Sequence, residues 1–215
     1  MSLIVTAKKA SAVPLLSPGL YPAVCVGVAD LGSQHNAKYN KSEDKVLVTW
    51  EIIGETVDVD GEQKPRWLSR KFTKSLNPKS SLVKALTAWL GIAIDASTQL
   101  SLGDLIGTGC QLQVETYTGK DEREHNNVSV VVSFPKGMTV PAPISETTVF
   151  DIDAPDAKET LSKLPQWVQE EIKASTTWQK RIANTQDLDI DEADVQEAVA
   201  AAEAAKSSTS EVRPF

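Results

Sequence analysis

RWLSRKFTKSLNPKSSLVKALTAWLG, residues 66–91, changes its periodicity midway. Over Arg66–Lys74 the side chains alternate in a two-residue repeat, with Trp67 and Lys71 on one parity and Leu68, Arg70 and Phe72 on the other, the pattern of a strand. Beyond Leu76 the repeat lengthens, and Leu82, Val83, Leu86, Trp89 and Leu90 recur at helical spacing. Asn77 suits an N-cap, Pro78 the first helical position and Gly91 a left-handed C-cap, so a helix of about three turns is predicted from Pro78 onward. Arg70 leaves two alternatives open: its face is exposed, or the strand carries a bulge.

Upstream, Lys45–Gly54 alternates Val46, Val48, Trp50 and Ile52 with Leu47, Thr49, Glu51 and Ile53, a strand apolar on both faces for part of its length. Asp58-Val59-Asp60-Gly61-Glu62 is a turn by its Asp-Gly pair, so this strand and Arg66–Lys74 form a hairpin. Leu20–Asp30, after the Pro18-Gly19 turn signal, reads as a first strand, and the polar stretch Leu31–Asp44 as the loop behind it. Downstream, Cys110–Tyr117 sends Cys110, Leu112 and Val114 inward. Val128–Phe134 places Val128, Val130, Val132 and Phe134 on one face.

The predicted order is strand, strand, strand, helix, strand, strand, with the helix between strands 3 and 4. That makes a mainly β (α+β) chain with the order of a five-stranded OB-fold barrel; the alternative is a mixed sheet with one covering helix. Residues 1–19 read as an irregular leader without the sustained apolar run of a signal peptide, and residues 20–140 as the barrel domain. PKGMTVPAPISETT, with three prolines and no periodicity, opens a linker over 141–160. In 161–185, Leu161, Leu164, Trp167, Val168 and Ile172 line up as one apolar helical stripe that Trp178 and Ile182 continue. Residues 186–215 are acidic and Ala-rich, an extension read as largely flexible.

Charge divides the chain of 215 residues. Residues 1–140 hold 15 basic and 14 acidic side chains, whereas residues 141–215 hold 7 and 15. Between Arg66 and Lys84 there are six basic side chains and no acidic one. No apolar run approaches the roughly 18 residues of a membrane span. The two cysteines, Cys25 and Cys110, sit in apolar alternating runs and read as small buried hydrophobes, which fits a reducing cytoplasm. His35 and His125 lack the spaced Cys, His or carboxylate partners of a zinc site, so neither a metal site nor a cofactor is predicted. Phosphate-cradling glycine loops, GxSxG, HExxH and CxxC are missing, and no catalytic residue is assigned.

What remains is a set of cations interleaved with aromatic rings. Arg66, Trp67, Arg70, Lys71, Phe72 and Lys74 lie on strand 3, with Lys79 just beyond it; Lys38, Tyr39, Lys41 and Lys45 belong to the first loop; Tyr117 and Lys120 edge the last one. In an OB-fold these positions surround the oligonucleotide face, where cations neutralise phosphates and rings stack on bases. Trp67 is read as the stacking ring, with Phe72, Trp50 and Trp89 as core.

The sequence resembles phage-type single-stranded DNA-binding proteins with an OB-fold. The resemblance is carried by Pro18-Gly19-Leu20-Tyr21-Pro22-Ala23, by Trp50-Glu51, by Arg70 through Ser80 leading into the helix, and by Leu164-Pro165-Gln166-Trp167-Val168-Gln169-Glu170-Glu171-Ile172. It implies a non-enzymatic protein that coats exposed strands in phage replication or recombination, in the host cytoplasm and without a membrane. The terminal Pro214-Phe215 behind an acidic segment is similar to the tail of bacterial single-stranded DNA-binding proteins. That similarity implies docking of replication or recombination proteins, although Arg213 and the isolated Glu211 depart from the pattern. DNA and RNA are not separated by these residues, and the oligomeric state stays open. The rival class is a protein-interaction or assembly factor on an OB-like scaffold, with Trp167 and Ile172 docking a partner.

Overall fold

The computed structural model describes residues 14–36, 40–59, 61–95, 98–120 and 122–184. Strand β1 (Gly19–Asn36) pairs antiparallel with β2 (Lys41–Val59) on one side and with β4 (Gly109–Thr118) on the other. β3 (Glu62–Thr73) adds to β2, and β5 (Glu124–Ser133) to β4, giving the order β3-β2-β1-β4-β5. A sixth, short strand, β6 (Thr148–Phe150), joins β1 in parallel through Gly27, Val28 and Ala29.

The strands are longer than the alternation alone suggests. The expected loop Leu31–Asp44 is mostly sheet, because β1 continues to Asn36 and pairs residue by residue back to Lys41. Register shifts between Cys25 and Gly27 and between Asp30 and Gly32 break the parity of β1, so a single alternation does not run through it. Gly32 is at φ +66°, and a Cβ there would stand 2.7 Å from Ser175 Oγ, a close approach that only glycine permits.

Two apolar cores lie on opposite faces of the β1–β2 hairpin. The first gathers Cys25, Val46, Val48, Trp50, Ile52, Phe72, Leu112 and Val114 under helix α1 (Ser81–Leu90), whose Leu82, Val83, Leu86 and Trp89 are buried. Trp50 and Trp89 meet at 5.8 Å between centroids, and Trp89 Nε1 donates to Gly109 O at 2.8 Å. The helix starts three residues later than expected. Asn77 makes a local turn instead, its Oδ1 accepting from Lys79 N, while the Ser80 hydroxyl accepts from Val83 N as the N-cap. Gly91 closes the helix at φ +68°.

The second core joins Ala29, Leu31 and Leu47 to Phe150, Ile152, Leu161, Leu164, Val168, Ile172 and Trp178. The apolar second face of strand β2 is thereby covered by the chain's own downstream part. The span 141–160 contains β6 and the start of α2 (Ala157–Leu161), and the stripe expected over 161–182 is three short helices: the end of α2, α3 (Gln166–Ala174) and α4 (176–184). Pro165 precedes α3, and Ser175 separates it from α4, its hydroxyl accepting from Trp178 N. The buried positions Leu161, Leu164, Val168, Ile172, Ser175 and Trp178 nevertheless keep a spacing of three or four across both breaks, and Trp167, one residue ahead of Val168, falls beside that stripe and is exposed.

β5 also departs from strict alternation. Val114 pairs with Val128 and Gln113 with Val130, leaving Ser129 as the extra residue of a bulge. Val131 is consequently buried and Val130 exposed. Among the described residues no helix is long and apolar enough to cross a membrane.

Candidate functional site

The hairpin of β2 and β3 carries most of the residues singled out above, and it sorts them onto two faces. Arg66, Leu68, Arg70 and Phe72 point to the inner side, and Trp67, Ser69, Lys71 and Thr73 to the outer one. Arg70 thus keeps the inward parity without a bulge. Its Nη1 donates to Ser129 O at 2.7 Å, and its guanidinium carbon lies 4.9 Å from the centre of the Phe72 ring. Arg66 is buried, with Nη1 on Pro14 O at 2.7 Å and Nη2 on Asn126 Oδ1 at 3.3 Å. Burial lowers the pKa of both guanidinium groups from its ordinary value, with Glu55 opposing the shift at Arg66. Phe72 lies in the first core and offers no ring face outward.

The outer face is different. Trp67 is 47% exposed, and its Nε1 donates to Ser145 Oγ at 2.7 Å. Ser145 Oγ in turn donates to Glu51 Oε2, and the same carboxylate accepts from Ile144 N at 2.9 Å and Ser145 N at 2.8 Å. Glu51 is the direct cross-strand partner of Trp67 and is almost fully buried. A carboxylate in that position, satisfied by three donors, fixes the segment at Ile144–Ser145 beside the indole.

Lys71, four residues along the same face, meets Glu171 of α3: its Nζ lies 2.7 Å from both carboxylate oxygens and 5.7 Å from the Trp167 ring centroid. Lys74 pairs with Asp30 at 2.5 Å. Burial pushes the Lys74 ammonium down, but the Asp30 hydrogen bond, followed by the charges of Asp30, Asp151 and Asp153, leaves it above its ordinary value. Lys45 bonds Glu43 at 2.6 Å and Thr73 at 2.8 Å, which holds the Glu43 carboxyl below the usual range.

Lys41, Lys79, Lys120 and Tyr117 are exposed, and Tyr117 stacks at a tilt on His125 with centroids 5.6 Å apart. Lys38, Tyr39, Pro214 and Phe215 lie outside the described residues.

A groove of about 1240 Å³ runs over this outer face. Gly27, Thr49 and Ser69 line it, with the apolar Leu47 and Leu68, the acidic Glu146, the rings of Trp67, Tyr117, His125 and Trp167, and Lys163. The structure therefore brings Trp67, Lys71 and Tyr117 near one surface, turns Arg66, Arg70 and Phe72 away from it, and ties Lys74 to Asp30. Trp167 and Lys163 are residues that the sequence reading did not place here. The signal that could have found Trp167 is its position immediately before Val168, since Leu161, Leu164, Val168 and Ile172 complete a helical stripe without it. No protein-family model and no curated protein matches the chain.

Proposed function

We propose that this chain is a sequence-independent single-stranded DNA-binding protein of phage replication or recombination, built on an OB-type barrel. The barrel reading is supported by the strand order β3-β2-β1-β4-β5, by the helix between β3 and β4, and by Arg70 linking β3 to β5 at the two ends of that order. One observation carries the functional reading. Solvent-facing rings, Trp67 above all, border a groove on the β2–β3 face, and Lys71 stands on the same outer face as Trp67. Rings accept any base by stacking, and the neighbouring cations supply attraction to phosphate without reading sequence.

Binding by this face weakens with salt, because each phosphate neutralised releases counterions. The test is tryptophan fluorescence during titration with a thymidine oligomer of about 30 nucleotides, longer than the roughly 4 to 16 nucleotides covered per OB-fold, repeated with duplex DNA and with RNA at low and raised salt. Salt-sensitive quenching by single-stranded DNA, with a weak response to duplex, is the expected result. Silence toward every nucleic acid at low salt overturns the reading and leaves the assembly-factor alternative, which the internal pairing of Lys71 and Lys74 favours. On the proposed reading the acidic C-terminal tail, ending in Pro214-Phe215, recruits replication or recombination partners.

A further inference from the structure

We infer that Trp167 of α3 is a second base-stacking ring, so that the groove has two aromatic walls, one from β3 and one from the C-terminal helices. This rests on the single-stranded DNA reading above and extends the site to a part of the chain that the sequence pattern assigned to packing or partner docking.

Within α3, Val168 and Ile172 anchor the helix in the second core, at 1% and 0% exposure. Trp167, its largest side chain, is left 48% exposed and borders the same groove as Trp67. An indole left half in water forgoes apolar burial that α3 obtains through Val168 and Ile172, so its exposure is not explained by the packing of α3. Lys71 stands next to it, with Nζ 5.7 Å from the ring centroid, and shares the outer face of β3 with Trp67. At a rise of about 3.3 Å per residue, Lys71 lies about 13 Å along the strand from Trp67. A cation thus stands beside the Trp167 ring and shares a strand face with Trp67, and Lys163, which lines the groove, adds a second exposed cation from the helical wall.

An unpaired strand matches this arrangement. Its bases present free faces to both indoles, and its phosphates compete with Glu171 for Lys71. A duplex has already covered its base faces by its own stacking and gives the rings little to bind. The two walls thus select single strands over duplex, and Trp167 is a specificity residue as well as an affinity residue.

The experiment uses the full chain and its W167A, W167F and W67A variants, titrated against an end-labelled thymidine oligomer and followed by anisotropy of the label. W167A is expected to weaken binding about fivefold or more, the lower end of base–aromatic stacking, while W167F restores most of it. The unfolding midpoint of W167A stays near that of the unsubstituted chain, because the core residues of α3 are untouched. Affinity of W167A within twofold of the unsubstituted chain, with W67A clearly weakened, overturns the second wall and leaves the single-stranded DNA reading standing. Absence of binding by the unsubstituted chain removes that reading and this inference together.

Discussion

Arg70 Nη1 donates to the carbonyl of Ser129 at 2.7 Å, joining the third strand to the bulge of the fifth. These strands stand at opposite ends of the sheet order, and nothing in their alternation announces that they meet. The bulge supplies the contact by freeing the Ser129 peptide from regular pairing, and the half-buried guanidinium satisfies its oxygen.

Replacing Arg70 with Met keeps most of the apolar stem and removes the donor. The expected loss is about 1 to 3 kcal/mol of unfolding free energy, the cost of leaving the carbonyl without its partner. Urea titration reads this directly, and a loss below about 0.5 kcal/mol would show that Ser129 is satisfied by other means. Single-stranded DNA affinity should change less than in W67A, because Arg70 points to the inner side of the hairpin.

Ser145→Ala takes away the acceptor of Trp67 Nε1 and one donor to Glu51. A stability decrease of about 1 kcal/mol is expected, together with a changed Trp67 emission and weaker oligonucleotide binding. Ser145→Thr, which retains the hydroxyl, should recover all three. If S145A destabilises the protein but binds the oligomer with unchanged affinity, the Glu51–Ser145 link anchors the chain without orienting the indole.

Much of this arrangement was visible in the residues. The alternation of Val46, Val48, Trp50 and Ile52 gave the inner core, and Leu47 on the opposite parity marked a face that something had to cover. The switch from a two-residue to a helical repeat after Leu76 located α1, although Ser80 outcompeted Asn77 for the cap because its hydroxyl reaches Val83 N. The bulges of β1 and β5 were hidden, since one extra residue leaves composition unchanged while reversing every parity after it. The exposure of Trp167 was hidden for a different reason: a stripe through Leu164 continues at helical spacing to either Trp167 or Val168, and only the packing shows that Val168 is the one buried. The Trp67–Ser145–Glu51 chain depends on residues 94 positions apart and has no local signature.

Ile172 is fully buried where α3 meets the sheet. Truncating it to Ala should lower stability by about 2 to 5 kcal/mol, the range for large-to-small changes in a packed core. Chemical denaturation followed by tryptophan emission checks this. A change under 1 kcal/mol would mean that the helices sit on the sheet without stabilising it.

Stability should also fall at alkaline pH. Burial pushes the Cys25 thiol up to about 12 from an ordinary 9.0, and burial, followed by the neighbouring Cys25, raises Cys110 well above its ordinary value. Well below pH 9 both thiols are neutral whether the chain is folded or not, and their contribution is complete. Between pH 9 and about 12 the unfolded chain ionises at Cys25 while the folded one does not, so stability drops there by up to about 1.4 kcal/mol per pH unit, and Cys110 acts in the same direction. Unfolding midpoints measured across this window should slope less steeply in Cys25→Ala, and an unchanged slope would assign the alkaline loss to other groups.

The second core couples the beginning of the chain to its later part, as in the bond from Ser33 N to Thr177 Oγ1 at 3.0 Å across 144 residues. During synthesis, Ala29, Leu31 and Leu47 emerge long before the helices that cover them. A ribosome-bound chain that has completed its five antiparallel strands still shows an apolar outer face. Closing this core therefore waits on the segment from Phe150 to Trp178, so folding of the sheet's outer face is coupled to contacts of long sequence separation.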